Sequence, residues 1–197
     1  MKLILYFMIW CTCVYVGQAQ ILPGTLTVSQ GTVLFQQDLS TMIDEAGLDD
    51  TMSNSKIETM FDATVIDFVL DETNFILTSE VNCTANIFLY KVYIHTTGLA
   101  DDVILEAKTF ENSGQRFPLS IPYDLVPVLG ARDLIPANGT NYVVVPNNSA
   151  ADAIKIFEFK GCREQIPIQF RALPSVLAAA ETSVFQINYT VTATLLE

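Results

Sequence analysis

Residues 184–197 read VFQINYTVTATLLE. Phe185, Ile187, Tyr189, Val191, Ala193 and Leu195 fall on one parity, and Gln186, Asn188, Thr190, Thr192 and Thr194 fall on the other. Successive side chains of a β-strand point to opposite faces, so this alternation predicts a strand with one apolar and one polar face. Its plain role is to close a β-sandwich, apolar row inward and threonines outward. The same row of Phe185, Ile187, Tyr189, Val191, Ala193 and Leu195 is also a candidate assembly strand. A strand at a sheet edge adds another through backbone hydrogen bonds, and its alternate side chains supply specificity.

Upstream, from about residue 62, nearly every apolar run has strand character. ATVIDFVLD (63–71), ANIFLYKVYIHTT (85–97), DVILEAKTF (102–110), NYVVVP (141–146), AIKIFEF (153–159) and QIPIQFRAL (165–173) are β-branched and aromatic. TTGLADD, NSGQ, ANGTN, PNNSA and KGC punctuate them with turn chemistry. In 85–97 the parity of Phe88, Tyr90, Val92 and Ile94 is wholly apolar, while the other mixes Ile87 and Leu89 with Lys91. That pattern suits a central strand. Residues 117–139 carry Pro118, Pro122, Pro127 and Pro136. Proline removes a ladder donor, so the segment reads as edge strand interrupted by loop. PSVLAAAETS (174–183) has room for one helical turn. Frequent short strands predict an all-β, antiparallel, immunoglobulin-like sandwich.

The N-terminal part has other characters. Residues 1–20 place Lys2 before an apolar run that ends in the small residues Gly17 and Ala19. This is the layout of a secretory signal peptide over 1–19, since the run falls short of the roughly 20 residues a spanning helix needs. Residues 20–36, rich in Thr and Val, predict an N-terminal strand or arm. A single sandwich domain follows over 37–197, with a short helical or loop insertion near 38–60, where DLSTMIDEAGLDDTMSNSK has no period of two.

The formal net charge is −12, and removing the leader leaves nine basic against 22 acidic residues. Such a surface repels phosphate backbones, so no nucleic-acid partner is expected. The expected place is secreted, periplasmic or at the cell surface, without an integral membrane segment. Cys83 and Cys162 are the cysteines left after the leader, and an even pair in an exported chain predicts a disulfide.

Nucleophilic catalysis needs a base that titrates near neutrality, and the chain has one histidine, His95, without a nucleophile motif beside it. One histidine and two bridged cysteines cannot furnish a zinc site. Carboxylates remain: Asp44, Glu45, Asp49 and Asp50 cluster in the insertion, Asp62, Asp67, Asp71 and Glu72 follow, and Asp101 and Asp102 stand together. Clustered loop oxygens suit calcium, which makes Asp44, Glu45, Asp49 and Asp50 the candidate metal ligands, although their spacing is not that of an EF-hand. Paired carboxylates also serve glycoside hydrolysis. Solvated charge accounts for most of them, and the chain is read as a non-enzyme needing no cofactor, with calcium as the alternative. Tyr90, Tyr93, Tyr123, Tyr142 and Tyr189 offer ring faces for a sugar but no evident platform. Four Asn-X-Ser/Thr sequons stand at Asn82, Asn138, Asn147 and Asn188.

The leader, the Thr-rich strand near 25–35, the cysteine pair and the closing alternating strand together resemble bacterial chaperone–usher pilins and spore-coat-U type domains. The likeness lies chiefly over 154–197, with a weaker echo at 83–97. Val184 and Leu196 stand where such pilins commonly carry a glycine and an aromatic residue. The resemblance implies a surface or fibre subunit completed by strand donation, with subunits of the same or a related kind and a periplasmic chaperone as partners. The resulting expectation is an exported structural or adhesive cell-surface protein. The alternatives are an extracellular calcium- or glycan-binding module and a secreted carboxylate-dependent hydrolase using residues such as Asp49, Asp50, Asp67 or Asp71.

Overall fold

The computed structural model describes residues 24–29, 33–35, 57–119, 132–175 and 182–195. The leader, most of the insertion near 38–60 and the carboxylates Asp44, Glu45, Asp49 and Asp50 lie outside the described residues.

The all-β expectation holds: the strands form two antiparallel sheets. The first runs in the order β1 (Gly24–Ser29), β3 (Thr64–Leu70), β10 (Cys162–Pro174), β5 (Val103–Lys108) and β8 (Val143–Val144). Two short strands, β2 (Ile57–Glu58) and β6 (Gln115–Phe117), also pair with β10. The second sheet runs β11 (Gln186–Leu195), β4 (Phe88–Thr97), β9 (Ile154–Lys160) and β7 (Ile135–Thr140). Among the described residues, the first and last strands are therefore both edge strands. The N-terminal one belongs to the first sheet, where Gly24 to Ser29 pair in cis with Leu70 to Val65. At the end of the expected insertion, Ile57 and Glu58 are strand rather than helix or loop, because Ala172 and Arg171 of β10 offer them a ladder.

The core fills the space between the sheets, as period-two sequences dictate. Thr64, Ile66, Phe68 and Leu70 of β3 alternate with half-exposed residues. Tyr90, Val92, Ile94 and Thr96 of β4 do the same from the other sheet, confirming 88–97 as a central strand. Phe68 bridges the layers, its ring 4.4 Å from Tyr90 and 5.7 Å from Phe159 of β9. Tyr90 keeps its hydroxyl satisfied in this apolar setting by accepting from Asn86 Nδ2 at 2.8 Å.

β10 carries a proline in mid-strand, which a central strand normally forbids. The strand changes partners there. Cys162–Glu164 pair with β6, and pairing with β5 starts at Gln169. Pro167 falls in the gap between them. Its carbonyl accepts from Thr109 Oγ1 at 2.8 Å on the β5 side. The nitrogen and oxygen of one strand residue face the same edge, so the missing donor points at the gap and costs no ladder bond. On the other side Pro167 stays opposite Val65 of β3.

One short helix, α1 (Ser79–Thr84), interrupts the sheets between β3 and β4. Thr78 caps it, its hydroxyl accepting from Val81 N at 3.4 Å. The preceding turn is fixed by Asn74 Oδ1, which accepts from Ile76 N at 2.9 Å and Leu77 N at 2.8 Å. This turn holds Phe75 and Ile76 out in solvent, at 91% and 65% exposure.

Candidate functional site

The alternating stretch forms a strand, as its parity predicts. β11 pairs with β4 in unbroken register from Gln186↔Thr97 to Leu195↔Phe88. Phe185, Ile187, Tyr189, Val191 and Ala193 pack half-buried against the core, as their parity requires. Leu195 shares that parity but is 50% exposed, at the end of the strand. Burial holds the Tyr189 phenol well above its ordinary pKa. On the opposite face Thr190, Thr192 and Thr194 are exposed. Among the described residues no strand pairs with the second edge of β11.

The predicted disulfide is formed: Cys83 of α1 joins Cys162 of β10, with Cα atoms 5.4 Å apart. Both are buried. Two buried arginines surround it, Arg132 and Arg163, each about 1–2% exposed. Arg132 donates to Cys83 O at 3.4 Å and Thr84 O at 3.3 Å, so its guanidinium completes the helix's C-terminal carbonyls. Gly161 leaves room for it: a Cβ there would lie 2.5 Å from Arg132 Nη1. Arg163 donates to Arg132 O at 3.0 Å and to the carbonyls of Asn112, Ser113 and Gly114. Burial, then the nearby Arg116 charge, lowers the Arg163 pKa to about 10. These cations hold backbone carbonyls and are part of the fold's frame.

Among the described residues, the carboxylates weighed from the sequence are dispersed, with one exception. On the outer face of the first sheet, an open pocket of about 420 Å³ is lined by Thr25, Thr27, Asp67, Val69, Glu164 and Gln165. Asp67 Oδ1 accepts from Gln165 N at 2.6 Å. Burial and the neighbouring Asp67 charge raise the Glu164 pKa. Asp71 lies nearby, accepting from Thr25 Oγ1 at 2.5 Å. Sequence reasoning weighed Asp67 but not Glu164, because β3 and β10 are brought together across about a hundred residues by sheet pairing alone. Among the described residues, no group of three or more His, Cys, Asp and Glu side chains is close enough to hold a metal ion.

The remaining candidates lie away from this pocket. His95 stands on the outer face of β4, opposite Asn188. Tyr142 lies over two cations of the first sheet, its ring centre 4.4 Å from Lys108 Nζ and 4.0 Å from Arg171 Cζ. Arg171 is in turn paired with Glu106 and, at 3.7 Å, with Glu58. Burial and then the Glu58 charge push the Tyr142 pKa up to about 12. Of the sequons, Asn82 is buried, and its amide donates to Asp71 O at 2.7 Å and Leu77 O at 3.3 Å. Asn147 is half-buried, joining Thr96 and both backbone groups of Leu99. Asn188 donates to Thr97 Oγ1 at 2.9 Å, and Asn138 is exposed.

None of the family models, curated proteins or solved structures compared with the chain matches it. Among the described residues no helix is long and apolar enough to cross a membrane.

Proposed function

We propose that this chain is an exported structural or adhesive cell-surface protein, a non-enzymatic subunit that assembles by strand addition. The observation that carries the reading is the ten-residue edge of β11, backed by an unbroken ladder to β4 and lying open along its other side among the described residues. A preformed edge needs little rearrangement to accept a strand, and every second residue offers it both an N–H and a C=O. The disulfide and buried arginines fit this role, since a surface subunit must keep its frame without help from the cell interior. The rigid turn that displays Phe75 and Ile76 adds an apolar contact point suited to adhesion. The β1 arm, paired in cis with β3, would have to leave that strand before it could serve a neighbour.

The test is a denaturing gel of unboiled surface material from an expressing host, probed for this chain. A ladder that collapses on heating is expected; a single monomer band before and after heating overturns assembly.

A second reading, the carboxylate-dependent hydrolase, is favoured by the pocket that brings Asp67 and Glu164 together. A carboxyl with raised pKa beside another carboxylate is the polarity that general acid–base catalysis uses. Its test is glycan hydrolysis by purified protein that disappears in Glu164→Gln and Asp67→Asn.

A further inference from the structure

Among the sheet edges of the described residues, β11 is the least defended. Natural proteins blunt such edges with charge, proline, bulges or brevity. β7 carries Pro136 and Gly139, β8 has two residues and β1 has six. β11 offers ten residues, QINYTVTATL, without a charge, a proline, a glycine or a break in register.

The alternation restricts what can add to it. When two copies of β11 pair antiparallel about a two-fold axis through Thr190 or Val191, every residue meets one of its own parity. With the axis at Val191, Ile187 meets Leu195, Tyr189 meets Ala193 and Thr190 meets Thr192 of the second copy. Apolar side chains then lie on apolar ones and hydroxyls on hydroxyls, the cross-strand pairs that stabilise antiparallel sheets. Leu195, half exposed in the single chain, gains Ile187 as a cover. No like charges meet across the paired strands among the described residues. The nearest charged side chain among the described residues, Lys91, lies one strand in, opposite Thr192. The two copies of Lys91 would stand three strand spacings apart, about 14 Å, beyond the screening length of about 8 Å at physiological salt.

We infer that β11 pairs with β11 of a second copy, joining two four-stranded sheets into one continuous sheet across a two-fold axis. The inference rests on the assembly reading above and names the strand and partner within it. Such a contact closes at two, so a longer fibre needs a second contact elsewhere on the subunit.

The test uses the full disulfide-bonded protein in sedimentation equilibrium. Thr190→Lys/Thr192→Lys sets lysines against each other in either register, on exposed positions, of which Thr192 faces Lys91 across the ladder to β4. The wild type is expected to dimerise, and the lysine variant to weaken the dimer at least tenfold while its far-UV circular dichroism stays that of the folded wild type. Thr190→Cys/Thr192→Cys is expected to give a covalent dimer under mild oxidation. Thr25→Cys/Val69→Cys, which ties β1 to β3 at directly opposed positions, is expected to leave the dimer intact. A dimer that survives the lysines, or one lost only when β1 is tied down, overturns the inference and leaves strand addition standing. A monomeric wild type overturns it too, and if unboiled surface material is also monomeric, the assembly reading falls with it.

Discussion

Replacing both bridged cysteines, Cys83→Ala/Cys162→Ala, tests how the frame is held. The bond closes a loop with a sequence separation of 79. Loop-closure entropy for that length gives about 4.5 kcal/mol at 25 °C. The native state loses little besides, since the Cys83 sulfur also accepts from Leu70 N at 3.4 Å, a long bond to a weak acceptor. With a urea slope of about 2 kcal/mol/M, the midpoint should fall by roughly 2 M. The assay is urea unfolding followed by far-UV circular dichroism, with the wild type in its oxidised form. The reasoning has a specific weak point, because α1 is also fastened by Arg132, which donates to Cys83 O and Thr84 O. A loss below about 1.5 kcal/mol with an unchanged slope would refute the entropic account. It would mean that the contacts around Arg132 and Arg163 already bring these segments together in the denatured chain. A steeper slope in the variant would instead show the uncrosslinked denatured state exposing more surface, as the account requires.

Three further outcomes are expected. Gly161→Ala, at φ +77° with its new Cβ 2.5 Å from Arg132 Nη1, should cost at least about 2 kcal/mol in chemical denaturation, whereas Gly139→Ala, at φ +58° in open space, should cost only about 1. Stability should fall as pH rises above 10: Tyr90, Tyr142 and Tyr189 have raised pKa values in the fold, so the unfolded chain sheds those protons first, and Tyr142 holds its proton to about 12. Phenolate absorbance and circular dichroism recorded together would check this, because ionisation of these three before unfolding contradicts it. In a host that glycosylates sequons, peptide mapping should find sugar at Asn138 and none at Asn82, whose amide is buried on two carbonyls.

The fold was legible where a residue's position in a strand decides its environment. β11, β4 and β3 announce their inner rows by parity, and Pro136 marked an edge strand that β7 indeed is. What stayed hidden depends on contacts across the sheets. α1 spans six residues, too few for a helical period to show, and its only local signals are the Thr78 cap and the Asn74 turn. Nothing in the sequence marks Arg132 and Arg163 as buried, because arginine is rarely buried unless its guanidinium finds acceptors. Here the acceptors are main-chain carbonyls that no side-chain pattern reveals. Asp67 and Glu164 meet only because β3 and β10 are neighbours, a fact of topology and not of spacing. The disulfide was legible from cysteine count alone, yet its place at the end of a helix was not.

Charge and edge act against each other in this molecule, and that opposition fixes the sign of one more measurement. A formal charge of −12 makes two copies repel at long range. The β11 edge is neutral, so pairing there gains nothing from opposite charges. Raising salt shortens the screening length from about 30 Å at 10 mM to about 8 Å at 150 mM. It should therefore strengthen association, by removing repulsion while leaving the backbone ladder untouched. Attraction between the acidic exterior and the lysines on the outer face of the second sheet, Lys91, Lys155 and Lys160, would give the opposite slope. Sedimentation equilibrium across that salt range separates the two: self-association that weakens with salt would mean a contact between opposite charges, away from the neutral edge of β11.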